Sequence, residues 1–334
     1  MLKGHWYIAC RSRQLARNKP LARTILGQPL VAFRDAAGQV GVLHDRCAHR
    51  NLALSRGRVT AEGLQCAYHG WTWAADGRLQ EIPASCAGRC EAIRVKSWLV
   101  REQQGFVWVW MPSKERPDPT TDPISFPNLG EPGWRHFVME REFHGAAFHC
   151  VENFLDVPHT AHVHRGLFRG DASKEIEIEI TSGADWIEAE FLGEQRMDSW
   201  IGRLLVPKDS RIHHVDRFQL PYVTRVDYRM SEKRQYVVMS QCTPMTDNRT
   251  RVFTYLAFRF EPLGALIHLI FRPFAGVILN QDLSILRQQT GDIERTGQAR
   301  FIYHETDVIA RGIRDLLDGV SLEGLEPVRR KLRL

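Results

Sequence analysis

The sequence predicts an α+β protein in which an all-β N-terminal domain precedes a domain with an antiparallel sheet flanked by helices. Three observations support this fold class. Short strands and turns fill residues 1 to about 112, and a Pro-rich stretch without periodicity follows at 112–134. The remainder mixes alternating strand patterns with helical ones. We therefore expect domains at 1–115 and 116–334.

The strands of the first domain are marked by their turns. QPLVAFRDAAGQVGVLHD (28–45) contains two β-rich runs around a turn, which predicts a hairpin. GWTWAADGRLQEIP (70–83) repeats the pattern with Asp-Gly at the turn. GFVWVWM (105–111) has the residue types of a buried strand.

The second domain alternates between the two periodicities. REFHGAAFHCVENFLDVPHTAHVH (141–164) has helical spacing, and KEIEIEI (174–180) alternates as a half-exposed strand does. Further strands are expected at 213–230 and on both sides of the turn TDNRT (246–250). AGVILNQDLSILRQQ and ETDVIARGIRDLLDG predict two late helices.

Composition narrows the class of protein. The 334 residues carry a formal charge of +6, and no basic stretch is interleaved with aromatic residues as nucleic-acid binding would favour. The N-terminus has no secretory pattern, and the apolar run 263–279 is interrupted by His268, Arg272 and Pro273. We therefore expect no membrane span and interpret that run as core or as the wall of a pocket. Seven cysteines, an odd number, fit a reducing cytoplasm.

The first constellation pairs thiols with imidazoles. Cys47-Ala-His49 and Cys66-Ala-Tyr-His69 lie in strand-and-turn context and could bring two sulfurs and two nitrogens to one site. Such a ligand set suits either a tetrahedral zinc or a Rieske [2Fe–2S] cluster. Zinc fingers usually group Cys with Cys and His with His, so the mixed pairs favour the cluster.

The second constellation is DVPHTAHVH (156–164). On a regular helix Asn153, Asp156 and His159 share one face, and His162 continues the series. Helical geometry alone selects His159 with His162 as metal ligands, because an i+5 residue lies roughly 140° round the helix. His164 could join His159 only if the helix were distorted or ended between them.

These motifs resemble those of one known family. CAHRNLALSRGRV with CAYHGWTW is similar to the cluster-binding loops of the Rieske non-haem iron oxygenases, and ENFLDVPHTAHVH is similar to their pattern Asn-x-x-Asp-x-x-His-x-x-x-x-His. Chain length favours the single-component type, represented by dicamba monooxygenase and vanillate O-demethylase. The resemblance implies that Cys47 and Cys66 hold one iron of the cluster and that His49 and His69 hold the other.

The resemblance also assigns the second site. It implies that His159 and His164 bind a mononuclear Fe(II), with Asp156 relaying electrons and Asn153 close to the iron. His162 falls outside the pattern, so we expect it to pack or to support a ligand. The third ligand should be Asp282, because a carboxylate on the apolar stripe of VILNQDLSILRQQ is costly unless it is paired or bound to metal. A capping or ion-pair role is the alternative for Asp282.

The implied activity is that of a terminal oxygenase. It would use O₂ and electrons drawn from NAD(P)H through a reductase or ferredoxin to hydroxylate or to O- or N-demethylate a small, largely apolar or aromatic substrate. In the family, the aspartate that Asp156 matches hydrogen-bonds to a cluster histidine of a neighbouring subunit. The resemblance therefore implies a homotrimer. Ring cis-dihydroxylation and a non-catalytic iron-binding sensor are the alternatives. Cys86 and Cys90, spaced Cys-x-x-x-Cys, are candidates for a second metal site or a redox pair, against a structural role.

Overall fold

A computed structural model describes residues 1–15, 19–83, 92–165, 175–195, 211–262 and 264–333. Their contacts divide into two compact units. The first comprises Met1–Ser125 with Thr243–Asp247, and the second comprises Phe126–Cys242 with Asn248–Leu334. Residues 243–247 belong to the first unit, where the carbonyls of Pro244 and Met245 accept hydrogen bonds from the N–H groups of Leu26 and Gly27.

In its described ranges, the first unit has ten short strands in three sheets, ordered β1-β10-β9, β2-β3-β4 and β5-β6-β7-β8. The strands are β1 His5–Arg11, β2 Leu21–Ile25, β3 Gln28–Arg34, β4 Val40–His44, β5 Arg58–Val59, β6 Leu64–Gln65, β7 Thr72–Trp73, β8 Leu79–Glu81, β9 Val100–Gln103 and β10 Phe106–Met111. The predicted hairpins are confirmed, since β3 pairs antiparallel with β4 and β7 with β8. Both cysteines of the first constellation, Cys47 and Cys66, are part of an apolar core with Phe33, Leu43 and Trp73.

Among the described residues, an eight-stranded antiparallel sheet with helices packed on it makes up most of the second unit, and only the end of β16, from Thr243, is assigned to the first unit; this sheet confirms the predicted fold class. The strand order is β11-β17-β16-β15-β14-β13-β12-β18. The strands are β11 Arg135–His144, β12 Glu175–Ser182, β13 Trp186–Gln195, β14 Arg211–Gln219, β15 Val223–Ser231, β16 Arg234–Thr246, β17 Arg249–Phe260 and β18 Val328–Arg333. The helices are α1 Ala147–Leu155, α2 Gly264–Thr296 and α3 Ala310–Leu317. Helix α1 contacts β14 and β15, and α2 contacts β11 and β17.

The helical pattern over 141–164 resolves into three pieces rather than one helix. β11 takes the start of this segment, α1 ends at Leu155, and a 3₁₀ turn spans Pro158–Ala161. Asp156 leaves the helix in an extended conformation, with φ −89° and ψ 98°. Pro158 has no N–H to continue an α-helix, but it fits the first position of the 3₁₀ turn. The α-helix therefore ends before His159, earlier than the spacing predicted.

Within the described residues, α2 is long and apolar enough to cross a membrane by length and composition, with a mean hydropathy of 1.2 over its most apolar window. Helices of soluble cores meet the same criterion, so this is a weak indication. The helix also buries Asp282 and Thr290. The expectation that the chain has no membrane span stays a prediction.

Candidate metal centres

The two Cys-His loops of the first unit share one backbone design. In each loop the cysteine N–H donates to the carbonyl five residues later, at 2.9 Å, and the cysteine carbonyl accepts from the N–H four residues later, at 2.9 Å for Cys47 and 3.1 Å for Cys66. That fourth residue is Asn51 in one loop and Gly70 in the other, with φ of 63° and 71°. Gly and Asn are the residues that adopt this left-handed conformation most readily. The loops thus form a matched pair of tips.

The side chains of the two tips converge. The rings of His49 and His69 lie 4.5 Å apart, and His49 stacks on Trp71 at 4.4 Å. Cys47 and Cys66 are buried, whereas His69 is exposed. Burial raises the pKa of the Cys47 thiol, and the adjacent Cys66 raises it further despite a hydrogen bond from the backbone of His49. The thiol therefore stays protonated at neutral pH unless a metal ion displaces the proton.

One atom in this group is orphaned. Nδ1 of His49 is buried and has no hydrogen-bond partner in the described part of the chain. Leaving a buried imidazole nitrogen unpaired is costly, and a metal bond would satisfy it. Two thiols and two imidazoles with one orphaned nitrogen fit a Rieske cluster.

The second constellation lies in the second unit, where three elements contribute to it. His159 is on the 3₁₀ turn, His164 follows that turn, and Asp282 is in α2. One donor atom from each lies within 4.8 Å of the others. The Nε2 atoms of the two histidines are 3.2 Å apart, and Asp282 Oδ1 is 3.1 Å from His164 Nε2 and 3.6 Å from His159 Nε2.

The Nδ1 atoms of both imidazole rings make hydrogen bonds within the protein. Nδ1 of His164 donates to Oε1 of Gln281 at 2.8 Å, and Nδ1 of His159 donates to the backbone carbonyl of Asp156. Because the acceptors are oxygens, these bonds put a proton on each Nδ1 and leave each Nε2 as the nitrogen that faces Asp282. Two imidazole nitrogens and a carboxylate directed at one point form a site suited to a cation. This donor set fits Fe(II) with a 2-His-1-carboxylate triad.

Asp282 is held ionised despite its burial. Only 4% of the residue is exposed, and burial alone would raise the pKa of its carboxyl group. Contacts with His159, His164 and Asn153 outweigh burial and lower this pKa to about 2. Nδ2 of Asn153 donates to Asp282 Oδ1 at 3.0 Å, so Asn153 orients the carboxylate from α1. The apolar stripe of α2 thus presents a charged, oriented oxygen.

Two predicted residues lie beside this centre. The carboxylate of Asp156 is 3.8 Å from Nδ1 of His159, which contacts the Asp156 backbone carbonyl more closely. His162 is exposed, and its backbone N–H closes the 3₁₀ turn onto the His159 carbonyl. His162 is not one of the three residues whose donor atoms converge. Cys86 and Cys90 lie outside the described residues.

The convergent atoms open into a cavity of about 220 Å³ in the second unit. Its wall is largely apolar and is drawn from the sheet and from α2, including Met139, Val226, Val238, Leu256 and Phe271. Ile278 and Leu279 also line it, so the apolar run at 263–279 contributes a pocket wall as predicted. Such a cavity suits an organic molecule with few polar groups.

Sequence reasoning missed a second polar group in this wall. His214 is fully buried, with Nδ1 2.7 Å from Oε2 of Glu194 and Nε2 2.9 Å from Oδ1 of Asp216. His214 and Asp216 line the cavity. The available signal was a pair of ionisable residues at i and i+2 on the apolar face of an alternating strand, RIHHVDRFQ.

Two family comparisons match the two units. The Rieske [2Fe-2S] domain matches residues 5–98, and the vanillate O-demethylase oxygenase C-terminal domain matches residues 146–321. The chain belongs to the Rieske oxygenases. This membership confirms the predicted family, whereas the assignment of the individual ligand residues stays a prediction.

Curated Rieske oxygenases align over different lengths. The oxygenase component of dicamba O-demethylase from Stenotrophomonas maltophilia is 32% identical over 192 residues, which are 56% of this chain and 55% of that protein. The vanillate O-demethylase oxygenase subunit of Pseudomonas sp. (strain HR199 / DSM 7063) is 26% identical over 319 residues, 86% of this chain and 85% of that protein. The chain spans about half the length of the first curated relatives it matches.

The fold agrees with that of a solved Rieske oxygenase. The crystal structure of dicamba monooxygenase bound to dicamba superposes with a TM-score of 0.83 at 22% identity and covers 95% of this chain and 97% of the other. At this identity the agreement establishes the fold.

Proposed function

We propose that this chain is the terminal oxygenase component of a Rieske oxygenase system. Its reaction is monooxygenation of a small, largely apolar or aromatic molecule, by C–H hydroxylation or by oxidative O- or N-demethylation. The observation that carries the proposal is the convergence of His159, His164 and Asp282 on one point at an apolar cavity. A structural metal would have no need of an open cavity at its side.

The proposed ligand sets follow from the donor atoms. Cys47, Cys66, His49 and His69 hold a [2Fe–2S] cluster in a domain at residues 1–115. His159, His164 and Asp282 hold Fe(II) in a domain at residues 116–334. When bound, these groups supply single electrons and the activation of O₂, respectively.

The chain's own residues prepare the mononuclear site. Gln281 and the Asp156 carbonyl fix the two imidazoles by their Nδ1–H groups, and Asn153 fixes the carboxylate. This preorganisation keeps the three donor atoms in place before a metal binds. The apolar wall excludes water from the substrate and leaves orientation to a few polar groups.

Asp156 is proposed as the positioning residue between the two kinds of centre. Its backbone carbonyl holds His159, and its carboxylate lines the cavity and stays partly exposed. A carboxylate in this position can accept a hydrogen bond from a cluster histidine of another subunit, for which the exposed His69 is suited. The proposal therefore includes a homotrimer, in which each subunit completes its neighbour's electron route.

The proposal also includes the electron donor and the cellular compartment. Electrons come from NAD(P)H through a reductase or a ferredoxin, and the chain works in the cytoplasm. Neither a membrane span nor nucleic acid has a part in the proposed reaction.

The reconstituted turnover of a methoxyarene tests the proposal. Purified protein, loaded anaerobically with iron and sulfide and supplied with a reductase and NADH, is given O₂ and 4-methoxybenzyl alcohol. We expect substrate-dependent O₂ uptake with release of formaldehyde and a phenol. A ring cis-diol would replace the proposed reaction with dihydroxylation, and iron binding without O₂ uptake across a panel of methoxyarenes would favour an iron-binding sensor.

A further inference from the structure

A buried cluster of three ionisable side chains lies in the wall of the same cavity. His214 is 0% exposed, and Glu194 and Asp216 are each 2% exposed. The cluster belongs to strands β13 and β14, whereas the convergent metal-ligating atoms belong to the 3₁₀ turn, its following residues and α2. Buried charges are rare unless they are paired, so a triad of this kind invites a functional explanation.

The sheet is built to bring the three residues together. In β14 the buried positions alternate, which puts His214 and Asp216 on the inner face. In β13 the pairing shifts between Phe191 and Glu194, and Gly193 adopts a φ of 75°. One extra residue in a strand reverses which face the next side chain occupies, so this β-bulge turns Glu194 inward beside His214.

Aromatic rings hold the imidazole from both sides. Phe191 stacks on His214 at 4.3 Å, and Tyr228 stacks on its other face at 4.0 Å. Both residues lie directly opposite His214 on the neighbouring strands. Tyr236 extends the stack to β16 at 4.7 Å from Tyr228. The ring therefore cannot turn toward a ligand.

The only hydrogen-bonding group that this triad offers to the cavity is an acceptor. Both nitrogens of His214 are engaged, Nδ1 by Glu194 and Nε2 by Oδ1 of Asp216. Glu194 is not among the lining residues, whereas Asp216 is. The contact with His214 uses Oδ1 of Asp216, and the Asp216 side chain lines the cavity.

The electrostatics of the triad also favour a ligand that donates a hydrogen bond. Burial opposes protonation of His214, but the two carboxylates raise its pKa to about 9. The triad thus sets an imidazolium between two acidic side chains, and the acidic side chain that lines the cavity is that of Asp216. A bound carboxylate would be repelled, whereas an N–H or O–H donor would gain a charge-assisted hydrogen bond.

We propose that Asp216, fixed by His214, selects substrates that present a hydroxyl or a protonated amine to this wall and disfavours substrates with a carboxylate there. The proposal rests on the proposed function, because it treats the cavity beside the candidate iron site as the substrate pocket. His214 and Glu194 act as positioning residues for the Asp216 carboxylate.

The test measures binding, so that it does not depend on turnover. Isothermal titration of the anaerobic, iron-loaded protein uses three probes of matched size: 4-methoxybenzylamine, 4-methoxybenzyl alcohol and 4-methoxybenzoate. We expect Kd to be about tenfold lower for the amine than for the benzoate, with the alcohol between them. Equal affinities, or tighter binding of the benzoate, would overturn the proposal.

Two substitutions test whether Asp216 causes the preference for the amine. Asp216→Asn keeps the shape but can offer an N–H group, so the amine should lose about tenfold in affinity while the benzoate binds as well or better. Glu190→Gln is the matched control, because Glu190 pairs with His213 on the other face of the same two strands. An unchanged ratio of amine to benzoate in Asp216→Asn would also overturn the proposal.

The same samples separate this inference from the proposed function. If the amine binds selectively but no methoxyarene gives coupled O₂ uptake, the donor preference stands and the oxygenase function fails. If methoxyarenes turn over without any dependence on Asp216, the function stands and the preference fails. Circular dichroism of Asp216→Asn and its midpoint of urea unfolding show that lost binding reflects recognition rather than misfolding.

Discussion

His164 is the most deeply buried of the residues that converge at the candidate iron site, at 2% exposure. Its Nδ1 atom is hydrogen-bonded to Gln281 in helix α2, and its Nε2 atom faces Asp282. Because both nitrogens of this ring have fixed contacts, another histidine could take over its role only if the backbone of the site were rearranged. His162, two residues earlier, is exposed to solvent.

Single substitutions should separate these two histidines. We expect His164→Ala to lose the mononuclear iron, with at least about a tenfold loss in affinity, because a ligand has been removed. His162→Ala should keep it, since His162 is exposed and is not one of the three residues whose donor atoms converge. Iron per chain, measured after the cluster has been quantified by its absorption, reports the difference, and the opposite pattern would restore the pairing chosen by helical spacing.

Asp156 gives a different expectation, because it is proposed to act through another residue. Asp156→Asn keeps the backbone carbonyl that holds His159, so both metals should remain bound. Turnover should fall by at least about a hundredfold if the carboxylate carries the electron route. Single-turnover reduction kinetics should show slow transfer from the cluster with unchanged iron content. Loss of iron would instead make Asp156 a ligand.

The His214 triad predicts a pH dependence of stability. Because the folded protein raises the pKa of His214 to about 9 from an ordinary 6.5, the stabilisation that comes from the charge on His214 is complete below pH 6.5 and is lost as the pH rises through 9. Its size is at most about 3 kcal/mol. The midpoint of urea unfolding should fall between pH 7 and 9.5, and should fall less in Glu194→Gln, which removes one of the two carboxylates. His213→Gln, on the outer face, should behave as the native chain, and equal slopes in all three would contradict this account.

At the scale of secondary structure, the bulge in β13 depends on Gly193. Its φ of 75° is unfavourable for a residue with a Cβ, although an added Cβ would meet no atom of the described residues within 4 Å. Gly193→Ala should therefore destabilise the protein by about 1 kcal/mol. Gly276 in α2 is the matched control, since a Cβ there also meets nothing but the backbone is helical, and Gly276→Ala should stabilise by about 0.5 kcal/mol. The midpoints of urea unfolding measure both, and a shift in the same direction would refute the assigned strain.

The elements themselves show what could be predicted from sequence. The hairpins at 28–45 and 70–83 were predictable because turn residues separate their strands. The end of α1 at Leu155 was not, because apolar spacing continues through Pro158 although hydrogen bonding stops. The inward position of Glu194 depends on a one-residue bulge, and alternation alone places it on the wrong face.

At the scale of the whole molecule, the fold class and the family could be predicted because short ligand motifs and turn patterns are local in the sequence. Pocket chemistry could not. His214, Asp216 and Glu194 come together only through strand pairing, which a single sequence does not specify. Asp282 lies between these cases, since its position on an apolar stripe of α2 predicts a partner or a metal but does not identify the residues on other elements that contact it.

The central claim is that His159, His164 and Asp282 form a mononuclear iron site in a chain that also carries a Rieske cluster. The most direct measurement is the iron content, with the visible and EPR spectra of the reduced protein, in the native chain and in Asp282→Asn. We predict about three irons per native chain and about two in the variant, with an unchanged Rieske spectrum in both. Full retention of the third iron in the variant, or zinc in place of the cluster, would contradict the account.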